Sequence, residues 1–111
     1  MNLPLTLLVL FVAASLEAGG DALVRMGRGA TSISRLALFL LGGVVLFAYG
    51  YVVNSPPWDF GRLLGVYVVF FFIAAQLIAI FVFHSMPSRA TLLGGLFIVI
   101  GGALISLQIS N

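Results

Sequence analysis

The sequence predicts an all-α protein, an integral membrane bundle of four transmembrane helices, and three observations carry that expectation. Of its 111 residues, 62% are hydrophobic and 7% are charged, whereas a soluble domain needs about 25% charged residues to cover its surface. The apolar residues fall into four runs, 3–24, 36–53, 63–83 and 92–109, each close to the ~20 residues that cross a ~30 Å hydrocarbon core. No run alternates apolar with polar residues as a barrel strand does. Backbone polar groups in lipid must be satisfied within the segment, so the spans are expected to be helices, and residues 1–111 form one transmembrane domain.

The first run has an apolar stretch followed by small residues, like a secretory leader. It lacks a positively charged start and three more spans follow it, so it is read as helix 1. The stretch "RMGRGATSISR" joins helices 1 and 2, with Gly27 and Gly29 as breakers. "NSPPWDFGR" joins helices 2 and 3, and its Pro56–Pro57 pair stops any helix. "HSMPSR" joins helices 3 and 4 around Pro87. Links this short favour antiparallel neighbours and a compact up-down-up-down bundle. Arg25, Arg28, Arg35 and Arg89 lie in or beside the first and third connections, and Arg62 alone lies by the second. The positive-inside rule therefore expects the first and third connections in the cytoplasm and both termini outside, in a membrane of the bacterial inner type. Tyr49, Tyr51 and Trp58 gather near the second connection, where amphipathic rings mark an interface.

Composition also excludes functions. There are no cysteines, so neither disulfides nor thiolate metal sites arise. A net charge of +2 is too small for a nucleic-acid surface. No phosphate loop, nucleophile–histidine arrangement or metal cluster is present in the sequence, so neither an enzyme nor a cofactor is expected. His84 ends helix 3 with no second ligand at metal spacing and reads as an interfacial polar tip.

Two of the three acidic residues stand inside the first run, in "AASLEAGGDALVR". Glu17 lies about 21 Å along helix 1 from Leu3 and Asp21 about 27 Å, at 1.5 Å per residue. Glu17, Asp21 and Arg25 follow i, i+4, i+8 with acid before base, the favourable order on a helix. Asp21 and Arg25 are expected to form an interfacial ion pair. Glu17 is deeper and has no basic residue within a turn. Ala13, Ala14 and Gly20 share its face, where small residues leave a cavity or admit a second helix. An intramembrane acid is by default a functional hypothesis, here a site that holds a proton when empty and pairs with a cation when occupied.

Helix 4 reads "LLGGLFIVIGGALIS", in which Gly94 and Gly101, and Gly95 and Gly102, form rows seven apart, and Ser106 continues the second. Seven residues are about two turns, so each pair shares a face, and such rows let backbones approach closely. Whether the partner is another subunit or a helix of the same chain stays open at this point. Gly43 and Gly50 form a similar row on helix 2. Gln76, deep in helix 3, reads first as an interhelical hydrogen bond and second as a substrate contact. Tyr67 lies nine residues from it and so on the opposite side of the helix; it reads as an interfacial anchor or as part of a central cavity.

The deep glutamate in helix 1 and the glycine rows of helix 4, in a chain of this length, resemble the small multidrug resistance transporters. "FGRLLGVYVVFFFIAAQ" and "GGLFIVIGGALI" resemble the corresponding stretches of their YnfA-type relatives, so the likeness spans nearly the whole chain. The resemblance implies a homodimer that exchanges protons for cationic or aromatic compounds. It implies the proton and cation site at Glu17, the helix 3 tyrosine at Tyr67, and a dimer contact at Gly94, Gly95, Gly101 and Gly102. The arginine bias departs from members that insert in both orientations, so an inverted partner would be a different small membrane chain. The leading expectation is a proton-coupled exporter. Its rivals are a non-transporting accessory or assembly subunit, and an exporter of a native metabolite or lipid-linked head group.

Overall fold

The computed structural model describes the backbone of residues 1–110 and the side chains of residues 1–107. Four helices account for most of the chain: α1 (Leu3–Arg28), α2 (Ser32–Val53), α3 (Phe60–Phe81) and α4 (Arg89–Ser110). All four are long and apolar enough to cross a membrane, and their outward-facing hydrophobic side chains, such as Phe47 and Leu104, suit contact with lipid.

The end of α1 and the starts of α2, α3 and α4 lie three or four residues outside the apolar runs, because polar residues at an interface continue a helix that hydropathy alone would end. By contrast, α3 stops two residues inside its run. At the start of α1, Asn2 accepts a hydrogen bond from the Leu5 N–H at 2.9 Å, and Pro4 sits in the first turn, where its missing N–H costs nothing. The helix runs through Arg25 to Arg28 rather than stopping at residue 24. Arg35, from the first turn of α2, donates to the carbonyls of Gly27 at 3.2 Å and Arg28 at 3.0 Å, occupying acceptors that a helix end leaves open. The first connection, short in the sequence reading, is shorter still, just residues 29–31.

At the end of α2, the Asn54 side chain donates to the Gly50 carbonyl at 2.7 Å and the Ser55 hydroxyl to the Val52 carbonyl at 2.6 Å. Asp59 and Arg62 form an exposed ion pair, 3.6 Å apart, at the start of α3. At its far end His84 takes a left-handed conformation, φ 55°. The chain folds back there so that the Ser85 N–H reaches the Ala79 carbonyl at 2.8 Å. The Ser88 hydroxyl then accepts the Thr91 N–H at 3.1 Å and starts α4.

The packing differs from the compact bundle expected. The principal contacts are α1 with α2, α1 with α3, and α3 with α4, so the helices stand in a row, α2–α1–α3–α4. The protein is a slab, 52 × 33 × 19 Å. Its core lies mainly between α1 and α3: Leu10, Ala13, Ala14 and Ala18 of the first meet Leu63, Val66, Tyr67 and Ala74 of the second.

The antiparallel pairs are set by close backbone approach. A methyl group on Gly42 would come within 2.8 Å of the Val24 side chain and, more decisively, within 3.1 Å of the Gly20 carbonyl oxygen and 3.2 Å of the Val24 nitrogen. Gly20 and Gly27 of α1 likewise leave no room, against Leu46 and Phe39. The row expected on α2 makes no contact within the described chain: Gly43 and Gly50 face open space, and Gly42 meets α1. Gly42→Ala is expected to destabilise by about 1–3 kcal/mol, because backbone atoms cannot yield to an added methyl. Gly43→Ala, one residue on, should be neutral or slightly stabilising, since alanine is the better helix former. Reversible unfolding in mixed detergent micelles separates the two, and equal losses would contradict the packing.

Candidate functional site

Glu17 lies near the middle of α1, about 21 Å from the first residue of a helix some 39 Å long at 1.5 Å per residue. The helix itself has 26 residues. The neighbours at Ala13, Ala14 and Ala18 are buried, 0%, 0% and 5% exposed, and bring the backbone of α1 close to α3. There Tyr67, itself 4% exposed, donates its hydroxyl to Glu17 Oε1 at 2.7 Å. That length belongs to the stronger class of hydrogen bond in which an O–H meets a carboxylate. Tyr67 is thus a core residue bonded to the deep acid, and its reading as an interfacial anchor is corrected.

Around this pair runs a short aromatic column. The Tyr49 ring of α2 lies 5.5 Å from that of Tyr67, and the Phe71 ring, one turn further along α3, lies 6.3 Å on the other side. The sequence places Tyr49 with the interfacial rings; its part in the site leaves no local signal there, because its partner lies on another helix. Tyr51, two residues on, is 77% exposed, as an interface ring should be.

Gln76 does not join the site. Its helical neighbours on the same face, Gly65 and Phe72, pack against Ile105 and Gly95 of α4, which puts Gln76 on the α4 side of α3. Its half-buried amide makes no hydrogen bond among the described residues, and the interhelical bond expected of it is not made there.

Asp21 and Arg25 come together without bonding. Among the described residues the ion pair is Asp59–Arg62, and the expected Asp21–Arg25 bridge is not made. The Arg25 guanidinium lies instead over the Phe83 ring, 5.6 Å from its centre. The choice is physically reasonable: an i, i+4 ion pair is worth about 0.2–0.5 kcal/mol, and a cation over an aromatic face about 0.5–2 kcal/mol depending on desolvation. Asp21 and Arg25 both line a cavity of about 350 Å³ between α1 and α3.

The glycine rows of α4 separate cleanly. Gly95 and Gly102 face α3, where Phe72 and Val69 fill the space a side chain would need, whereas Gly94 and Gly101 meet nothing within 4 Å. The Ser106 hydroxyl donates to the Ala103 carbonyl at 2.9 Å in its own helix. The two rows therefore do different work, and the inner one holds the chain's own third helix. On α1, Gly20 and Gly27 have the same seven-residue spacing, a signal available in the sequence but overlooked beside the acidic pair.

Removing the Tyr67 hydroxyl should cost about 1 kcal/mol, within the ~0.6–2 kcal/mol found for interhelical hydrogen bonds in membranes. A double-mutant cycle of Tyr67→Phe with Glu17→Ala, read by unfolding in detergent, should return most of that as coupling. Strictly additive losses would show that hydroxyl and carboxyl do not interact in the folded protein. In comparisons with known proteins, no family model, no curated protein and no solved structure matches the chain.

Proposed function

We propose that this chain is a small proton-coupled membrane exporter in which a proton and a cationic substrate compete for Glu17. The observation that carries this reading is the Tyr67–Glu17 hydrogen bond at 2.7 Å, near the middle of a helix long enough to cross a membrane. An acid at that depth persists by facing protein or water, by pairing, or by holding a proton. Its one hydrogen-bonding side chain among the described residues is a tyrosine, which can both donate and accept. Exclusion of proton and cation from one another at a single carboxyl couples their fluxes. Aromatic faces at Tyr67, Tyr49 and Phe71 suit a cationic or aromatic substrate.

The proposal includes a second chain. A slab 19 Å thin, with α4 held by one neighbour, leaves Glu17 without a closed chamber. A second copy or a paired small subunit would complete the chamber. The open row of Gly94 and Gly101 on α4 is where it would dock. Gln76, on the α4 side of α3, would contact substrate only through such a partner.

The test is flux in proteoliposomes, wild type beside Glu17→Gln, under an imposed pH gradient with quaternary ammonium, guanidinium and polyamine substrates. Wild-type exchange should fall at least a hundredfold in the variant, and full activity in Glu17→Gln would end the mechanism. An accessory subunit would show no wild-type flux, and its Glu17→Gln form would lose stability by breaking a purely structural contact.

Orientation is tested separately. With no native cysteine, single replacements Ser34→Cys and Ser88→Cys should react with an impermeant maleimide from the cytoplasmic face of inverted inner-membrane vesicles, and Ser55→Cys from the opposite face. The reverse pattern would contradict the arginine bias.

A further inference from the structure

The cavity between α1 and α3 begins one turn from Glu17. Ala18 lines its inner end and Phe71 joins it to the aromatic column around Tyr67. Its outer end is Arg25, Phe83 and Ser85, at the close of α1 and just after α3. Four alanines make the room: Ala18 and Ala22 on α1 face Ala75 and Ala79 on α3. About 350 Å³ is at the small end of the ~300–1,000 Å³ typical of ligand sites, enough for a small molecule or one head group.

What distinguishes this cavity is its charge. Asp21 and Arg25 both border it, four residues apart on one helix, and no bond joins them. Arg25 is held against the Phe83 ring, which fixes the guanidinium at the wall while its donors remain available. Asp21 makes no hydrogen bond or ion pair among the described residues. A wall with one acid and one base, bonded to other things or to nothing, matches a ligand that carries both signs. A simple cation would meet the guanidinium as a repulsive neighbour, and a simple anion would meet the carboxyl.

We infer that this cavity binds a zwitterion, an ammonium group and an oxyanion joined by a short spacer. The Cβ atoms at i and i+4 stand about 5–6 Å apart, and the carboxylate and guanidinium are too far apart to pair, so a spacer of two or three atoms, as in phosphoethanolamine, spans them better than the single carbon of an α-amino acid. The ammonium meets Asp21. The oxyanion meets Arg25, whose planar fork suits phosphate or carboxylate oxygens, and the Ser85 hydroxyl lies at the same end. The spacer runs over alanine methyls. The same chemistry occurs on free phosphoethanolamine and on the head group of phosphatidylethanolamine. As a substrate subsite the cavity rests on the transport reading, but occupancy is a binding equilibrium that requires no flux.

The test is equilibrium dialysis of the full chain in maltoside micelles with radiolabelled phosphoethanolamine. Saturable binding is expected, with ethanolamine alone and inorganic phosphate alone at least tenfold weaker as competitors. Asp21→Asn and Arg25→Gln should each weaken binding at least tenfold. Ala79→Leu, which fills the cavity and alters neither charge, should do the same, and an unchanged unfolding midpoint for any one of the three excludes misfolding as the cause. Repeating the dialysis in nanodiscs separates the sources. Loss of label binding when phosphatidylethanolamine replaces phosphatidylglycerol assigns the site to the lipid head group, and unchanged binding assigns it to the free compound. Absence of saturable binding in wild type, or binding that survives all three substitutions, overturns the inference. Zwitterion binding without any proton-coupled flux would instead remove the transport reading and leave this site standing.

Discussion

The contact on which the rest of the molecule depends is the hydrogen bond from Tyr67 to Glu17. A polar group in hydrocarbon without a partner costs several kcal/mol, and near the middle of α1 the partner has to come from another helix. A distance of 2.7 Å requires α1 and α3 to approach closely, which the buried alanines at 13, 14 and 18 permit. A leucine at any of them would hold the helices apart and leave the carboxyl stranded. The same approach delivers the Tyr67 ring against Tyr49 and Phe71, so that the far end of α2 is drawn onto α3 as well. One polar contact thereby constrains three helices.

α1 can serve the site because its other side is occupied. Its glycines at 20 and 27 seat α2, while its alanine face is turned to α3. Arg35 finishes the arrangement by occupying the last carbonyls of α1 from the start of the next helix. Several backbone groups of the α1–α2 turn are thus met locally: the Gly29 and Ala30 N–H groups also reach the Met26 and Gly27 carbonyls. α4 is different in kind: it rests chiefly on α3, through Gly95 and Gly102. Stability is not uniform across a fold, and the element with the fewest buried contacts opens first. In this row of helices that element is α4, and it also carries the open pair of glycines.

Hydropathy made the four spans legible, because an apolar run near twenty residues has few alternatives. It misplaced their ends, because Arg25, Arg28, Ser32 and Arg89 are polar by composition yet helical by position. Glu17 stood out in the sequence as a deep charge without a basic neighbour. Its tyrosine partner was visible only as one of two readings, since a hydrogen bond between residues fifty apart has no periodic signature. The glycine row on α2 was legible only as a row: seven-residue spacing identifies a shared face but not what the face meets, and Gly42 meets α1 while Gly43 does not. The Asp21–Arg25 pair failed on energy, since spacing permits an i, i+4 bridge but supplies only tenths of a kcal/mol to enforce it. The Phe83 ring, brought over by the α1–α3 contact, outcompetes it.

The chemistry of the partner bears on what the deep carboxyl is for. A lysine or arginine opposite Glu17 would only donate, so its bond would weaken when the acid took a proton and the new O–H would find no acceptor there. A phenylalanine would offer neither donor nor acceptor. A tyrosine hydroxyl does both: it donates to an ionised carboxylate and accepts from a protonated one. The Tyr67 hydroxyl can therefore partner a carboxylate or a carboxylic acid at position 17. A contact meant only to hold helices together has no need of that tolerance, whereas the exchange of a proton for a cation proposed above requires it.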